Sequence, residues 1–342
     1  MIRNRFHVLA VLAALACGEA FAAASSMPSS TTRYATDAYP GFDREENIVS
    51  TGKKTPRWFS WINGPVKGDA ASQLEYAKAC VKEGSWRAAR RACDALVREW
   101  PAAPEAPKAQ EMLGDIYLEH YLEYENAFEE YKYLMDFYSS QCDYDAMASR
   151  LYEVAKLMEE EGRTIIFFRF ANTVDVRRAF EALVLRAPGA KFAPEAMLKV
   201  AKLREDDGEW EKAVQVYENL RNLHPLAPEA KSALYREALD RMRIIREHEY
   251  NRTRVIDTIA FLKLALASNP AEAEKADYSA WHDEAVRQLE EEAFLSAKFY
   301  DSRTRTKRSA INAYERFLAE YPASSHASEA RARLEQLQQE GK

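Results

Sequence analysis

The sequence predicts an all-α chain built from about five to six helix hairpins. Three observations carry that prediction. Of 342 residues, 47% are hydrophobic and 30% charged, enough apolar material to bury a sizeable core. Only 11 Gly and 13 Pro stand against 18 Tyr and 15 Phe, too few turn formers for a β-sandwich. One spaced pattern also recurs six times: a small residue, a bulky residue four on, an apolar residue three further and a proline five beyond that. The formal charge of -6 argues against a nucleic-acid binder, which needs a basic face for the phosphate backbone.

The start of the chain reads as an export segment. Arg3 and Arg5 make a positive start, and Phe6 to Ala16 is an apolar run too short to span a bilayer. Two processing routes compete. Ala20-Phe21-Ala22 is a small-residue cleavage site, giving a signal peptide over 1–22. Ala14-Leu15-Ala16-Cys17 is a loose lipoprotein box, in which Cys17 would receive the lipid and the leader would be 1–16. Residues 23–68 are Ser/Thr-rich and aperiodic and read as a flexible tether. Its aromatic segment Arg57-Trp58-Phe59-Ser60-Trp61 is suited to packing on the first hairpin or to a membrane interface.

From residue 69 to 342 the array begins. The six copies of the pattern are Ala89-Cys93-Leu96-Pro101, Ala127-Tyr131-Leu134 with Ser139 for proline, Val176-Phe180-Leu183-Pro188, Ala213-Tyr217-Leu220-Pro225, Thr258-Leu262-Ala265-Pro270 and Ala310-Tyr314-Phe317-Pro322. Steps of four and three residues keep side chains on one helical face, and the small residue admits a neighbouring helix. Proline then ends the helix, because it lacks the N–H and restricts the residue before it. A partner helix precedes the better copies: Leu113-Gly114-Asp115-Ile116-Tyr117 before Glu123, and Met197, Val200, Ala201 and Arg204 before Gly208-Glu209-Trp210. The terminators, from Pro101 through Ser139 to Pro322, are unevenly spaced, so some elements must be long. Ala227 to Tyr250 and Ala271 to Asp301 each read as one long helix, and Thr164 to Thr173 as an inserted excursion. Ser325 to Gln339, with Ala327, Ala330, Leu334 and Leu337 on one stripe, reads as a terminal cap.

No nucleophile elbow, C-x-x-C, P-loop or dinucleotide-binding glycine motif occurs, and no histidine pair has zinc-helix spacing. An enzyme, a cofactor and a metal site are therefore not expected. Cys80, Cys93 and Cys142 are an odd set, read as small buried hydrophobes, with a Cys80–Cys93 bridge as the alternative. Two basic groups stand out: Arg303, Arg305, Lys307 and Arg308 between the helices of the last repeat, and Arg236, Arg241, Arg243, Arg246, Arg252 and Arg254 along and after the first long helix. Each is either a solvated, Glu-balanced face or a docking surface for an acidic partner.

These units resemble the tetratricopeptide repeat, whose L-G-x-x-Y first-helix motif stands here at Leu113, Gly114 and Tyr117 and whose second-helix A…F…P motif is the pattern above. That resemblance implies a right-handed solenoid. The leader with Cys17, the tether and the ending Ala297-Lys298-Phe299-Tyr300 followed by Ser309-Ala310-Ile311-Asn312-Ala313-Tyr314 further resemble the outer-membrane β-barrel assembly lipoproteins, the BamD (YfiO) family. Membership would imply a non-enzymatic scaffold, lipid-anchored at the periplasmic face of the outer membrane. It would bind the barrel-inserting subunit, other assembly-complex lipoproteins and unfolded outer-membrane proteins. The alternative is a soluble periplasmic repeat adaptor in envelope constriction or cell-wall coordination. Carrying over the family geometry, exposed first-helix positions for a partner fall at Lys108, Glu111 and Asp115, at Lys202, Glu205 and Asp206, and at Phe294, Lys298 and Asp301.

Overall fold

A computed structural model describes residues 64–164, 173–247, 250–303 and 307–340. The chain divides into two compact units between Ala196 and Met197. The first contains α1 (Ala70–Lys82), α2 (Trp86–Glu99), α3 (Ala106–Asp115) with a π-helical continuation Ile116–Tyr121, α4 (Tyr124–Phe137), α5 (Tyr144–Thr164), α6 (Thr173–Arg186) and the start of α7 (Ala193–Asp206). The second contains the rest of α7, then α8 (Trp210–Leu223), α9 (Pro228–Glu247), α10 (Arg252–Ala267), α11 (Glu272–Arg303), α12 (Lys307–Glu320) and α13 (Ala327–Glu340). Within the first unit each helix from α1 to α6 packs on the next; within the second the same holds from α8 to α13. No strand occurs among the described residues, and the fold is an all-α repeat of helix hairpins.

The recurring pattern is the spine of these hairpins. In all six copies the small, bulky and apolar residues are buried, none more than 4% exposed. Four of the prolines stand two positions beyond the last helical residue, and Pro270 stands three beyond. The turn out of four of the six second helices is built alike. Backbone N–H groups of Trp100, Ala103 and Ala106 donate to the carbonyls of Leu96, Trp100 and Ala103. The same three steps recur at Ala187, Ala190 and Ala193, at His224, Ala227 and Ala230, and at Tyr321, Ser324 and Ala327. The turn inside a hairpin needs a left-handed residue, supplied by Gly84 (φ +71°) between α1 and α2 and by Gly208 (φ +75°) between α7 and α8. Leu122 takes that conformation (φ +55°) after the π-helical segment.

Two long helices match the expected ones, α9 and α11. The 32 residues of α11 serve two cores in turn. Tyr278, Ala285 and Leu289 join Met242, Val255 and Leu262 of α9 and α10, whereas Phe294 and Ala297 join Ala310, Tyr314, Phe317, Ala330 and Leu337 of α12 and α13. The cap helix buries Ala327, Ala330 and Leu337 as its stripe requires, and Leu334 packs beside them. Cys80 and Cys93 are buried and free, so the hydrophobe reading holds for these two and no bridge joins them, whereas Cys142 is only half-buried because it falls in the turn between α4 and α5, which corrects that reading for it. The export segment with Cys17, the tether up to residue 63 and the middle of the inserted excursion, residues 165–172, lie outside the described residues.

Candidate functional site

The first unit carries a shallow groove of about 660 Å³. The π-helical segment gives it Leu118, α5 gives Ser149, Arg150, Tyr152 and Glu153, and the turn into α7 gives Lys191, Phe192 and Glu195. The Tyr152 and Phe192 rings stack, 4.8 Å between centroids and 8° from parallel. Tyr152 is only 7% exposed, and its buried hydroxyl makes no hydrogen bond among the described residues. Burial, and then the Glu195 carboxylate, push this phenol's pKa up, so it stays protonated and its O–H remains a donor. Arg150 is committed elsewhere, to Asp115 at 2.8 Å. Lys191 and Glu195 are exposed and make no ion pair among the described residues. None of the groove residues except Arg150, as a partner of Asp115, bears on the positions expected from sequence. A signal was present: Phe192 occupies the place in its inter-hairpin turn that Glu105, Glu229 and His326 occupy in the equivalent turns.

The positions expected to be exposed divide sharply. Lys108, Asp206 and Lys298 are exposed, the last paired with Glu329 at 3.0 Å, while Glu111 and Lys202 are half-buried. Glu205 and Phe294 are buried, which corrects the expectation for both. Phe294 turns inward because the length of α11 carries it into the α12–α13 core, where it stacks on His326 at 4.4 Å. Glu205 turns inward because it belongs to a recurring triad.

Each triad has a carboxylate near the end of a hairpin's first helix, the bulky tyrosine of the second helix and an arginine of the following helix. The Tyr131 hydroxyl donates to Asp115 at 2.6 Å, and Arg150 reaches the same carboxylate. Tyr217 donates to Glu205, which also accepts from Arg236 at 2.7 Å. Tyr314 donates to Asp301 at 3.4 Å, which holds Arg333 by two bonds of 2.7 and 2.9 Å. Glu205 and Asp301, in the last turn of their helices, are opposed by the helix dipole, and the arginine from the next helix offsets that. Arg333 draws the Asp301 pKa below the ordinary carboxylate value, and burial pushes the Tyr314 phenol up to about 12. Asp115, Glu205 and Asp301 are thus joints between successive hairpins rather than free surface. The interval from tyrosine to arginine is the same in every case, from Tyr131 to Arg150, from Tyr217 to Arg236 and from Tyr314 to Arg333.

The basic row of the second unit is also internally matched. Besides Arg236, Arg241 pairs with Glu237, Arg243 with Asp240, Arg246 with Glu284, Arg252 with Glu292 and Arg254 with Glu211, at 2.5 to 3.1 Å. The balanced-face reading accounts for this row. Lys307 and Arg308 are exposed at the start of α12, while the side chains of Arg303 and Arg305 lie outside the described ones. No cluster of His, Cys, Asp and Glu able to hold a metal ion occurs among the described residues, and no described helix is long and apolar enough to cross a membrane.

No family model and no curated protein matches the sequence. Among solved structures, a tetratricopeptide repeat protein from Parabacteroides merdae aligns at 15% identity over 79% of this chain and 98% of its own. The TM-score is 0.28, too low to carry an argument, so the fold assignment rests on the helices themselves.

Proposed function

We propose that this chain is a non-enzymatic scaffold of the outer-membrane β-barrel assembly machinery. It is exported, held by a lipid on Cys17 at the periplasmic face of the outer membrane, and binds the barrel-inserting subunit, other assembly-complex lipoproteins and unfolded barrel proteins through its hairpins. The observation that carries this reading is the run of hairpins sharing one buried register, with first-helix side chains such as Lys108, Asp206 and Lys298 left outward; the leader expected from Arg3, Arg5 and the apolar run after them supports export. Such arrays present extended surfaces to other polypeptides. Cross-linking in intact envelopes followed by purification of the chain should retrieve the barrel-inserting subunit. Retrieval of cell-wall or division proteins in its place would sink the assembly reading.

Ala20-Phe21-Ala22 favours the second reading, a soluble periplasmic adaptor. The two differ in the mature N-terminus. Cys17 bearing diacylglycerol and an amide-linked acyl chain would bury enough methylenes, at about 0.8 kcal/mol each, for stable attachment. Intact-mass spectrometry of the mature protein decides: a free N-terminus at Ala23 removes the anchor and the scaffold reading as stated.

A further inference from the structure

We propose that the outward face of α10 is a self-association surface, on which two copies of this chain pack α10 against α10 about a two-fold axis, crossing at Ala260. The pairing does not depend on what else the chain binds.

This face differs from those of the helices with the same place in their hairpins. Ile256, Ala260 and Leu264 stand in one row at steps of four residues, and all three are exposed, Ile256 by 45% and Leu264 by 58%. In α8 and α12, aligned on the shared buried register, the same three places hold Glu211, Gln215 and Asn219, and Arg308, Asn312 and Arg316. An apolar row in place of a polar one on the outer side of a helix marks a surface that a partner covers. The charges beside the row say which partner. From Val255 to Ala267 only Asp257 and Lys263 are charged; both are exposed, and neither makes an ion pair among the described residues. They stand three residues before and three after Ala260, on opposite flanks of the row and about 9 Å apart along the axis at about 1.5 Å per residue, too far to meet each other. A second α10 laid across the first at a steep angle, Ala260 on Ala260, brings each Asp257 over the partner's Lys263. The same crossing sets Ile256 and Leu264 each against its own counterpart. Turning the second helix end for end would put Asp257 on Asp257 and Lys263 on Lys263, so charge selects one direction. The small side chain at the crossing lets the two axes approach closely. An acid and a base placed symmetrically about an alanine make the face self-complementary, which is what an isologous two-fold interface requires. One helix face per copy falls short of the roughly 1,200 Å² of a standard interface, so the dimer is a weak one that forms at high local concentration.

The test uses the mature exported chain. Sedimentation velocity over about two decades of concentration should show a monomer–dimer equilibrium. Asp257→Lys gives a face with bases on both flanks and Lys263→Asp a face with acids on both, so each variant alone should associate at least about tenfold more weakly than the parent. An equimolar mixture of the two should recover the parent's association, because every base then meets an acid. Recovery also shows that both variants are folded, and each should keep the parent's thermal midpoint because the positions are exposed. Cross-linking locates the crossing: in a Cys142→Ser background, Ala260→Cys should give a disulfide-linked dimer under oxygen, whereas Gln215→Cys, exposed at the same place on α8, should not. A chain that stays monomeric throughout, single variants that associate like the parent, a mixture no stronger than its components, or cross-linking at residue 215 as ready as at 260 would each overturn the proposal.

Discussion

Gly114 lacks a side chain because there is no room for one: a Cβ there would lie 2.5 Å from the Tyr131 ring. That ring is fully buried and its hydroxyl is fixed on Asp115, so it cannot yield without breaking a triad. Gly114→Ala should therefore destabilise by about 1–3 kcal/mol despite alanine's better helix propensity, read as a lower urea midpoint with unchanged slope. A neutral or stabilising result would mean the ring is free to move. Asp240 makes a different kind of prediction. It is fully buried on α9; burial and the neighbouring Glu205 carboxylate raise its pKa to about 7, while Arg243 opposes them. The folded state thus holds this proton more tightly than the unfolded chain, whose ordinary value is 3.8. Stability from this group is full below that value and is lost as pH rises through about 7. Glu237, raised by burial despite Arg221 and Arg241, adds a slope of the same sign. Urea midpoints between pH 4 and 8 should fall with pH, and less steeply in Asp240→Asn. Parallel profiles for parent and variant would reject the assignment.

At the scale of elements, α11 explains the widest gap between pattern copies. A helix of about 48 Å, at about 1.5 Å per residue, gives its first half to one core and its second half to another. Glu290 lies between Leu289 of the first core and Phe294 of the second and is only half-buried. Glu290→Pro should cost about 3 kcal/mol or more and uncouple the cores, so that amides of α12 and α13 exchange faster than those of α9 and α10; Glu290→Ala should do neither. Uniform exchange in the proline variant would show that the helix does not join them. The same elements show what was legible in the sequence. The small–bulky–apolar register identified every second helix, because burial on one face imposes a period that the order of residues displays. The triad arginines were equally regular, each at one fixed interval after Tyr131, Tyr217 or Tyr314, and the turns between open on the same two backbone hydrogen bonds, at Tyr138 and Gln141, at His224 and Ala227, and at Tyr321 and Ser324. The carboxylates were not, since Asp115, Glu205 and Asp301 precede those tyrosines by unequal intervals, and the widest, from Asp115 to Tyr131, contains the π-helical segment. No fixed spacing could find them, so acids near helix ends passed for exposed surface. The groove was hidden for a related reason, since its walls come from three elements distant in sequence.

Across the whole molecule the triads alternate. The second, fourth and sixth hairpins carry Tyr131, Tyr217 and Tyr314 at the bulky position, whereas the first, third and fifth carry Cys93, Phe180 and Leu262, which have no hydroxyl to offer. Hydrogen bonds to a charged partner contribute about 1.5–3 kcal/mol each, so each triad fastens its hairpin to the helix that follows. The joint between the fifth and sixth hairpins is fastened by other means, Tyr235 donating to Asp277 while Arg246 and Arg252 hold Glu284 and Glu292. Under a stretching force the Tyr217 triad should resist the parting of α8 from α9, so Tyr217→Phe with Arg236→Met should lower the force of one rupture in an extension trace. Traces unchanged by the pair would mean that the triad carries no load. If it does carry it, a tyrosine bolted through a shared carboxylate lets a hairpin that is pulled from its neighbour keep its shape until that one fastening gives.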